Sequence, residues 1–378
     1  MEKGDTRQLA CSNYSSVLFT AAEQKPMALR YEEDLPRYDY LLPDHPEAKR
    51  WRAVTAIFAG QRATLVSTTD DGSKILLSVA SDRNPGGYYL LDEKTKSLRF
   101  LVPRRKWIDP RLMAPVAPAT VKASDGLKIP VYVTARDGLK TRKAPMIVLP
   151  HGGPHGVRDY WGWDGEAQLL ASRGYAVLHV NFRGSGGYGP DFQAAGYRNW
   201  GTRIQQDIAD ATRWAIAEGI ADPARICIYG ASFGGYSALM SAGIEPDLYR
   251  CAASYAGVTD LVDQVDDTDG SESMVGRRYL EKWLGGDMTL HRAQSPVTHA
   301  ARIKVPVLIA HGTMDQRVPF SQAKAMRQAL DAARKPYEWV EYEGEEHGFF
   351  KEANEIDFYT RLLAFFDRHI GAGAGGRS

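Results

Sequence analysis

The sequence predicts an α/β protein in which a mostly parallel sheet carries helices on both faces and a small all-β segment precedes it. From Pro145 onward, short apolar runs rich in Val, Ile and Ala alternate with amphipathic stretches of helical period. That alternation is typical of a buried parallel sheet. Before about residue 112, short alternating runs are separated by turns rich in Gly, Asp, Asn and Pro, which indicates antiparallel β-structure.

Length and composition are those of a globular chain with room for one large domain and a smaller one. The 378 residues are 44% hydrophobic and 25% charged. Forty-seven basic and 46 acidic side chains leave a net charge of +1, so no field attracts nucleic acid or an anionic membrane. Residues 1–5 carry no apolar leader and no long apolar run follows. We therefore expect a cytoplasmic protein with a neutral or small substrate.

The cysteines Cys11, Cys227 and Cys251 have neither paired nor metal-binding spacing. Two of them lie inside apolar runs that resemble strands. We expect reduced core thiols rather than a disulfide framework.

The segment 1–112 is predicted to be β-structure that resembles part of a propeller. Four strands are expected at 63–68, 75–80, 88–91 and 98–102. Four antiparallel strands in about 40 residues match the size of one blade, and 16–20 with 27–31 are candidates for a second, less regular unit. Since a closed propeller takes at least four blades, this segment cannot close alone. We expect a second copy to cover the exposed edge in a homo-oligomer, most simply a dimer.

A proline-rich linker separates this segment from the rest, and we place the boundary between residues 112 and 113. Its prolines are Pro103, Pro110, Pro115 and Pro118. The catalytic domain is expected to span 113–371, beginning with a hairpin formed by 119–123 and 129–135. The Gly/Ala-rich residues 372–378 are expected to form a flexible tail.

The elements of the main domain follow from the apolar runs. Strands are expected at 146–149, 176–181, 226–229, 251–256, 305–310 and 338–342, and helices at 165–172, 204–217, 321–333 and 354–370. Almost 50 residues between Gly257 and Val305 show no clear strand and contain a predicted helix at 275–284. An insertion of this length is typical of a lid or binding loop. Its acidic run, 263–269, fits no calcium-loop spacing and is predicted to be a solvated loop.

A candidate nucleophile stands at the sharpest predicted turn of the chain. The apolar strand 226–229 runs into Gly230-Ala-Ser232-Phe-Gly234, and the small-residue helical run 237–242 follows. A strand, a tight turn and a helix in this order hold a serine hydroxyl clear of the sheet. The motif alone is also compatible with an incidental serine in a glycine-rich turn.

A serine needs an imidazole to remove its proton and a carboxylate to orient that imidazole. In the α/β-hydrolase fold both follow the serine, the acid first. Asp315 and His347 each come directly after a predicted strand, as Ser232 does, and strand ends are where open α/β sheets place their sites. Asp260 is the rival acid, and His311 is expected to support the site or lie in the core rather than act as the base.

The tetrahedral intermediate needs two hydrogen-bond donors, usually backbone N–H groups. We expect one from Phe233, next to the serine, and one from Gly153 in the loop that reads His151-Gly-Gly-Pro-His155. A metal site at His151 and His155 is disfavoured, because Gly-Gly-Pro forbids the helix that would align them.

These motifs together resemble the prolyl oligopeptidase family of serine hydrolases, in particular its acylaminoacyl-peptidase and dipeptidyl-peptidase-like members. The matching stretches are His151-Gly-Gly-Pro-His155, Arg173-Gly-Tyr-Ala-Val-Leu178, Asn181-Phe-Arg-Gly-Ser-Gly-Gly-Tyr-Gly189, Gly230-Ala-Ser-Phe-Gly-Gly-Tyr236, Asp315-Gln-Arg-Val-Pro319 and Glu346-His-Gly-Phe349. The resemblance implies Ser232, Asp315 and His347 as the triad, after a β-propeller of which only the last portion fits in this chain. Relatives with a tyrosine in the oxyanion hole carry it where this chain has His151, which favours Gly153 as the second donor.

We therefore predict a serine hydrolase that cleaves peptide or acyl-aminoacyl bonds of small substrates through an acyl-enzyme on Ser232, without a metal or organic cofactor. A carboxylesterase of broad acyl-ester specificity using the same triad is the alternative. A catalytically silent scaffold that binds partners through the β segment is the rival from another class. The motifs do not assign residues that bind the substrate.

Overall fold

The computed structural model describes residues 15–371 except 21, 22, 33 and 267, so the predicted tail 372–378 lies outside the described residues. Three sheets organise the described residues, with three, four and eight strands. None of the described helices is long and apolar enough to cross a membrane.

The first two sheets are antiparallel and lie before residue 104. Their elements are β1 (Ser16–Phe19), β2 (Pro26–Tyr31), β3 (Arg37–Tyr40), α1 (Pro46–Ile57), β4 (Arg62–Thr68), β5 (Lys74–Ala80), β6 (Gly87–Asp92) and β7 (Ser97–Pro103). Strands β4 to β7 pair in chain order, which confirms the predicted four-stranded unit.

Helix α1 is a correction, because the segment 1–112 was predicted to be β throughout. Pro46 occupies the first turn, where its missing N–H costs nothing, and His45 Nδ1 caps the helix by accepting the Glu47 N–H. Trp51 and Val54 on its buried face pack into the apolar cluster beneath the first two sheets. Pro46 and the helical spacing of the buried residues could have predicted this helix from the sequence.

The eight-stranded sheet carries the site. It contains β8 (Val116–Lys122), β9 (Lys128–Thr134), β10 (Ala144–Pro150), β11 (Ala176–Val180), β12 (Ala221–Ala231), β13 (Cys251–Tyr255), β14 (Val307–Gly312) and β15 (Tyr337–Tyr342). The spatial order is β15-β14-β13-β12-β10-β11-β9-β8. Strands β10 to β15 are mutually parallel, and the predicted hairpin β8–β9 joins the edge antiparallel to β11. The domain boundary at 112 and 113, just before β8, we keep as a proposal.

Helices cover both faces of this sheet, as predicted. They are α2 (Gly165–Ser172), α3 (Pro190–Ala194), α4 (Arg203–Ala217), α5 (Phe233–Ile244), α6 (Leu261–Asp266), α7 (Asp269–Glu272), α8 (Met274–Leu284), α9 (Met288–Ala293), α10 (Pro296–His299), α11 (Phe320–Ala332) and α12 (Glu352–Ile370), with short 3-10 turns at Pro110–Leu112, Gly138–Lys140 and Ala300–Arg302. One core cluster packs α4, α5 and α11 against the sheet, and the other packs α2 and α12 against its opposite face.

The insertion between β13 and β14 is helical rather than a loop. Its acidic run, predicted to be a solvated loop, instead contributes to α6 and α7, and residue 267 between them lies outside the described residues. Helix α8 confirms the helix predicted at 275–284.

The prediction of reduced thiols is wrong for Cys227 and Cys251, which the structure joins in a disulfide with a Cα–Cα distance of 4.7 Å. They are register partners on the neighbouring parallel strands β12 and β13, and both are fully buried. Sequence spacing does not show which residues of two strands face each other. Cys11 lies outside the described residues.

Candidate active site

Ser232 stands between the end of β12 and the start of α5. Its backbone has φ 58° and ψ −121°, a conformation that a residue with a Cβ adopts at a cost. The Ser232 N–H donates to the Tyr255 carbonyl of β13 at 2.9 Å, which fixes the turn to the neighbouring strand. The strained turn that the motif predicts is present, and its serine is partly exposed.

Close backbone approaches explain the glycines around the serine. A Cβ added to Gly230 would lie 2.6 Å from the Gly234 carbonyl carbon, and one added to Gly234 would lie 2.2 Å from the Pro150 oxygen. A Cβ on Gly152 would lie 3.6 Å from the Ser232 Cβ, which is ordinary contact. The loop after β10 is therefore packed directly against the serine turn, where a donor to a reacting carbonyl is needed.

The predicted base and acid are in contact. His347 Nδ1 donates to Asp315 Oδ2 at 2.7 Å. Asp315 is buried, and its Oδ1 accepts the backbone N–H groups of Arg317 and Val318 at 3.0 and 2.9 Å. These bonds hold the carboxylate in one orientation, and it in turn holds the imidazole with its proton on Nδ1.

Burial alone would raise the pKa of Asp315. Hydrogen bonds from His311, His347 and the Val318 N–H outweigh burial and bring the pKa to about 2. His311 Nε2 lies 2.8 Å from the Val318 carbonyl and 3.3 Å from Asp315 Oδ2, so its single N–H is shared between these two acceptors. The carboxylate is therefore ionised at neutral pH and can stabilise a charged imidazole.

The rival acid, Asp260, is engaged elsewhere. Its Oδ1 accepts the Val262 N–H at 2.9 Å, where α6 begins, and lies 3.5 Å from the Ser295 hydroxyl, which donates to the His291 carbonyl at 2.7 Å. Between the two candidates, it is Asp315 that accepts from His347. The geometry thus favours Asp315 as the acid.

A hydrogen bond between Ser232 and His347, which would complete the triad, is not among the hydrogen bonds that join the described residues. Such bonds are often long before substrate binds and tighten in the reacting complex. The three residues follow β12, β14 and β15, whose carboxyl ends share one edge of the sheet. The assignment of Ser232 as nucleophile remains a proposal that rests on the turn and on the imidazole–carboxylate pair.

The two residues predicted to supply oxyanion donors are Phe233 and Gly153, and their roles stay a prediction. Phe233 is the first residue of α5, so its N–H has no acceptor within the helix. Gly153 has φ +119° in the loop that packs against the serine turn, a backbone conformation that side chains disfavour. Phe233 therefore follows Ser232 directly, and Gly153 follows Gly152, the residue of the β10 loop that contacts the serine turn.

The His151 ring is tied into the same loop. It stacks on Phe182 with ring centroids 4.2 Å apart, and its Nδ1 lies 2.7 Å from the Gly152 carbonyl. A carbonyl can only accept, so Nδ1 carries a proton. Nε2 lies 2.8 Å from the Ser185 hydroxyl, which donates to the Phe182 carbonyl at 2.7 Å. Burial also lowers the pKa of His151. The His151 ring therefore supports the loop. Its contact with Ser185 was not predicted from the sequence.

A cavity of about 500 Å³ adjoins Gly153 and was not predicted. Aromatic and apolar side chains dominate its lining, which consists of Gly153, His155, Val157, Trp200, Gln264, Thr268, Gly276, Tyr279, Leu280, Trp283 and Arg317. Burial lowers the pKa of His155 to about 3, and its Nε2 accepts the Trp200 indole N–H at 3.0 Å. About half of the lining residues belong to the helical insertion. The amphipathic pattern of α8 was the sequence feature from which this cavity could have been predicted.

No three His, Cys, Asp or Glu side chains among the described residues form a metal-binding group.

The chain is similar to several known proteins. Residues 161–373 match the model of the prolyl oligopeptidase family. The chain is 31% identical over 331 residues to dipeptidyl aminopeptidase BIII of Pseudoxanthomonas mexicana, covering 84% of this chain and 48% of that protein. It is 28% identical over 272 residues to the acylamino-acid-releasing enzyme of Arabidopsis thaliana, covering 68% of this chain and 35% of that protein.

Among solved structures, a puromycin hydrolase superposes with a TM-score of 0.72 at 28% identity, covering 84% of this chain and 48% of that chain. The chain spans about half the length, or less, of these relatives.

Proposed function

Because the chain belongs to the prolyl oligopeptidase family of serine peptidases, we propose that it hydrolyses peptide or acyl-aminoacyl bonds of small substrates through an acyl-enzyme on Ser232. The observation that carries this proposal is the 2.7 Å bond from His347 to the buried, ionised Asp315, at the sheet edge where Ser232 occupies a strained turn.

Acylation follows from these positions. The Ser232 Oγ attacks the substrate carbonyl carbon while His347 Nε2 takes the hydroxyl proton. The carbonyl oxygen becomes negative and accepts the N–H groups of Gly153 and Phe233. His347 then gives the proton to the leaving amine, the carbon–nitrogen bond breaks, and Asp315 remains ionised throughout.

Deacylation repeats the same steps with water. His347 takes a proton from a water molecule, whose oxygen attacks the acyl carbon while the same two N–H groups bind the oxyanion. The carbon–oxygen bond to Ser232 then breaks, and His347 returns the proton to the serine. Proton transfer requires no residue beyond the triad, and the two backbone N–H groups only bind the oxyanion.

The substrate class follows from the cavity beside Gly153. Its rings, which include Trp200, Tyr279 and Trp283, offer a large apolar surface, and its volume of about 500 Å³ suits one bulky side chain or acyl group. We propose that an apolar or aromatic residue next to the scissile bond occupies it.

The test compares phenylalanyl and alanyl anilides on the wild-type chain and on Ser232→Ala. The wild type should release aniline faster from the phenylalanyl substrate, and the variant should fold normally and release none. Turnover retained by folded Ser232→Ala would refute the mechanism. Turnover of p-nitrophenyl esters without any anilide cleavage would replace the peptidase by the carboxylesterase, because both reactions use the same acyl-enzyme.

Assembly and location remain finer proposals. We propose a homodimer in which the four-stranded sheet takes part, since its edge strand β7 exposes Phe100 and Val102 to about half. Light scattering that finds a monomer at micromolar concentration would refute the dimer.

We also keep a cytoplasmic location as a proposal. The Cys227–Cys251 disulfide counts against it, because such bonds are rare in the cytosol.

A further inference from the structure

A second cavity, of about 600 Å³, lies between the four-stranded sheet and the segment 158–164 of the main domain. None of the proposed triad residues or oxyanion donors lines it. Its volume falls within the range of sites for small molecules. It therefore needs a separate explanation from the site at Ser232.

The lining of this cavity is cationic. Four arginines, Arg30, Arg62, Arg104 and Arg158, line it together with two aspartates. Behind them, the Glu32 carboxylate accepts from both Arg30 and Arg62, so one acid is shared between two cations. After these pairings positive charge remains in excess, which favours an anionic ligand.

Among the described residues, several buried polar atoms of the lining side chains have no hydrogen-bond partner, and the carboxylate oxygen Asp159 Oδ2 is one of them. Within the described part of the chain, the buried Arg30 Nε and Trp163 Nε1 make no hydrogen bond. His179 is 7% exposed, and its Nε2 also has no partner among the described residues. Because these atoms are buried, a ligand in the cavity would contact the more exposed guanidinium groups, such as that of Arg104, rather than them.

Aromatic rings complete the lining. Tyr160 packs against the guanidinium groups of Arg62 and Arg158, with centroid distances of 5.3 and 4.8 Å, and is half exposed. Trp161 and Trp163 belong to the same lining segment as Tyr160. Thr64 and Ser78 of the four-stranded sheet contribute hydroxyl groups to the lining of the cavity. A ligand that fits these surfaces has an apolar or planar body in addition to its negative charge.

We propose that this cavity binds a small organic carboxylate with an apolar or aromatic body, such as the free carboxyl end of a short peptide or an N-acylated amino acid. Its carboxylate interacts with Arg104 and Arg62, and its body lies along Tyr160 and Trp163. The ligand contacts the four-stranded sheet and the main domain together, and so stabilises the contact between them.

Isothermal titration calorimetry of the full chain carrying Ser232→Ala tests this proposal without turnover. N-acetyl-L-phenylalanine is the probe, and N-acetyl-L-phenylalaninamide is its neutral counterpart. We expect the carboxylate to bind roughly tenfold more tightly than the amide, because a charge-assisted hydrogen bond is lost in the amide. Equal binding of the two compounds would overturn the proposal.

Arg104→Gln locates the bound ligand, since Arg104 is exposed and its loss should leave folding intact. It should weaken carboxylate binding about tenfold, whereas the matched control Arg99→Gln, on strand β7 outside the cavity, should not. Binding unchanged by Arg104→Gln places the ligand elsewhere, including beside Ser232, and refutes the site. Inorganic phosphate that binds where the carboxylate does not would refute the ligand class. Neither result depends on whether Ser232 is the nucleophile.

Discussion

His311 Nε2 lies 3.3 Å from Asp315 Oδ2, the same oxygen that accepts from His347. The acid of the proposed triad is thus held by a second, buried imidazole that the substrate does not reach, since His311 is 1% exposed. We infer that His311 is a positioning residue.

His311→Phe should lower kcat about tenfold and leave KM nearly unchanged, because it removes the N–H that the charged carboxylate shares with the Val318 carbonyl. His311→Gln, which keeps an N–H donor, should recover most of the loss. Steady-state kinetics on a phenylalanyl anilide checks both variants. Equal losses in Phe and Gln, or a change confined to KM, would contradict the positioning role.

Asp315→Asn should lower kcat by roughly 10⁴, because an amide in place of the carboxylate favours the wrong imidazole tautomer and leaves its charge uncompensated. Asp260→Asn is the matched control, since Asp260 also follows a strand but caps α6 through Val262. It should retain activity within a few-fold of wild type. The reverse ranking of the two variants would assign the acid to Asp260.

The glycines of the serine turn should differ in their tolerance of a Cβ. Gly234→Ala should destabilise the fold by roughly 2–4 kcal/mol, because the new carbon would lie 2.2 Å from the Pro150 backbone oxygen. Gly152→Ala meets only ordinary contacts at 3.5 and 3.6 Å and should unfold close to wild type. Urea denaturation compares them, and equal midpoints would contradict the packing of the turn against the β10 loop.

The free energy of unfolding should decrease at acid pH, because the Asp315 carboxylate becomes protonated. Its pKa is about 2 in the folded chain and 3.8 for the ordinary group, so its contribution is complete above about pH 5 and is lost as the pH falls through the folded value. The difference corresponds to about 2 kcal/mol. Denaturation of wild type and Asp315→Asn at pH 6 and pH 2.5 should show their stability difference shrinking at the lower pH. A constant difference would show that Asp315 is not strongly stabilised as an anion.

Much of the main domain could be predicted, because strand runs such as Ile226–Tyr229 are continuous and apolar, and the turns after them carry specific residues. Ser232, Asp315 and His347 follow such strands, so their order along the chain already places them at one edge. The same reasoning selects Phe233 as the residue after the serine and Gly153 as a residue of the loop after β10, and these two roles stay predictions.

What the sequence did not reveal depends on contacts between distant segments. The disulfide between Cys227 and Cys251 requires the register of β12 against β13, which no local pattern encodes. The support of His151 by Ser185 requires two loops to meet, and the cavity beside Gly153 requires the insertion to fold back as α8. Helix α1 was missed for a different reason, because it interrupts a segment whose other elements alternate as strands do.

Ser232 is proposed to be an activated nucleophile, and covalent labelling of the serine measures that activation. The full chain is treated with a fluorophosphonate, and intact-mass and peptide mass spectrometry measure the extent and position of labelling. We expect one label per chain, at Ser232, and a labelling rate at least about a hundredfold lower in folded His347→Ala, because the base is gone. No label on the wild-type chain, or a label that maps to another serine, would contradict it.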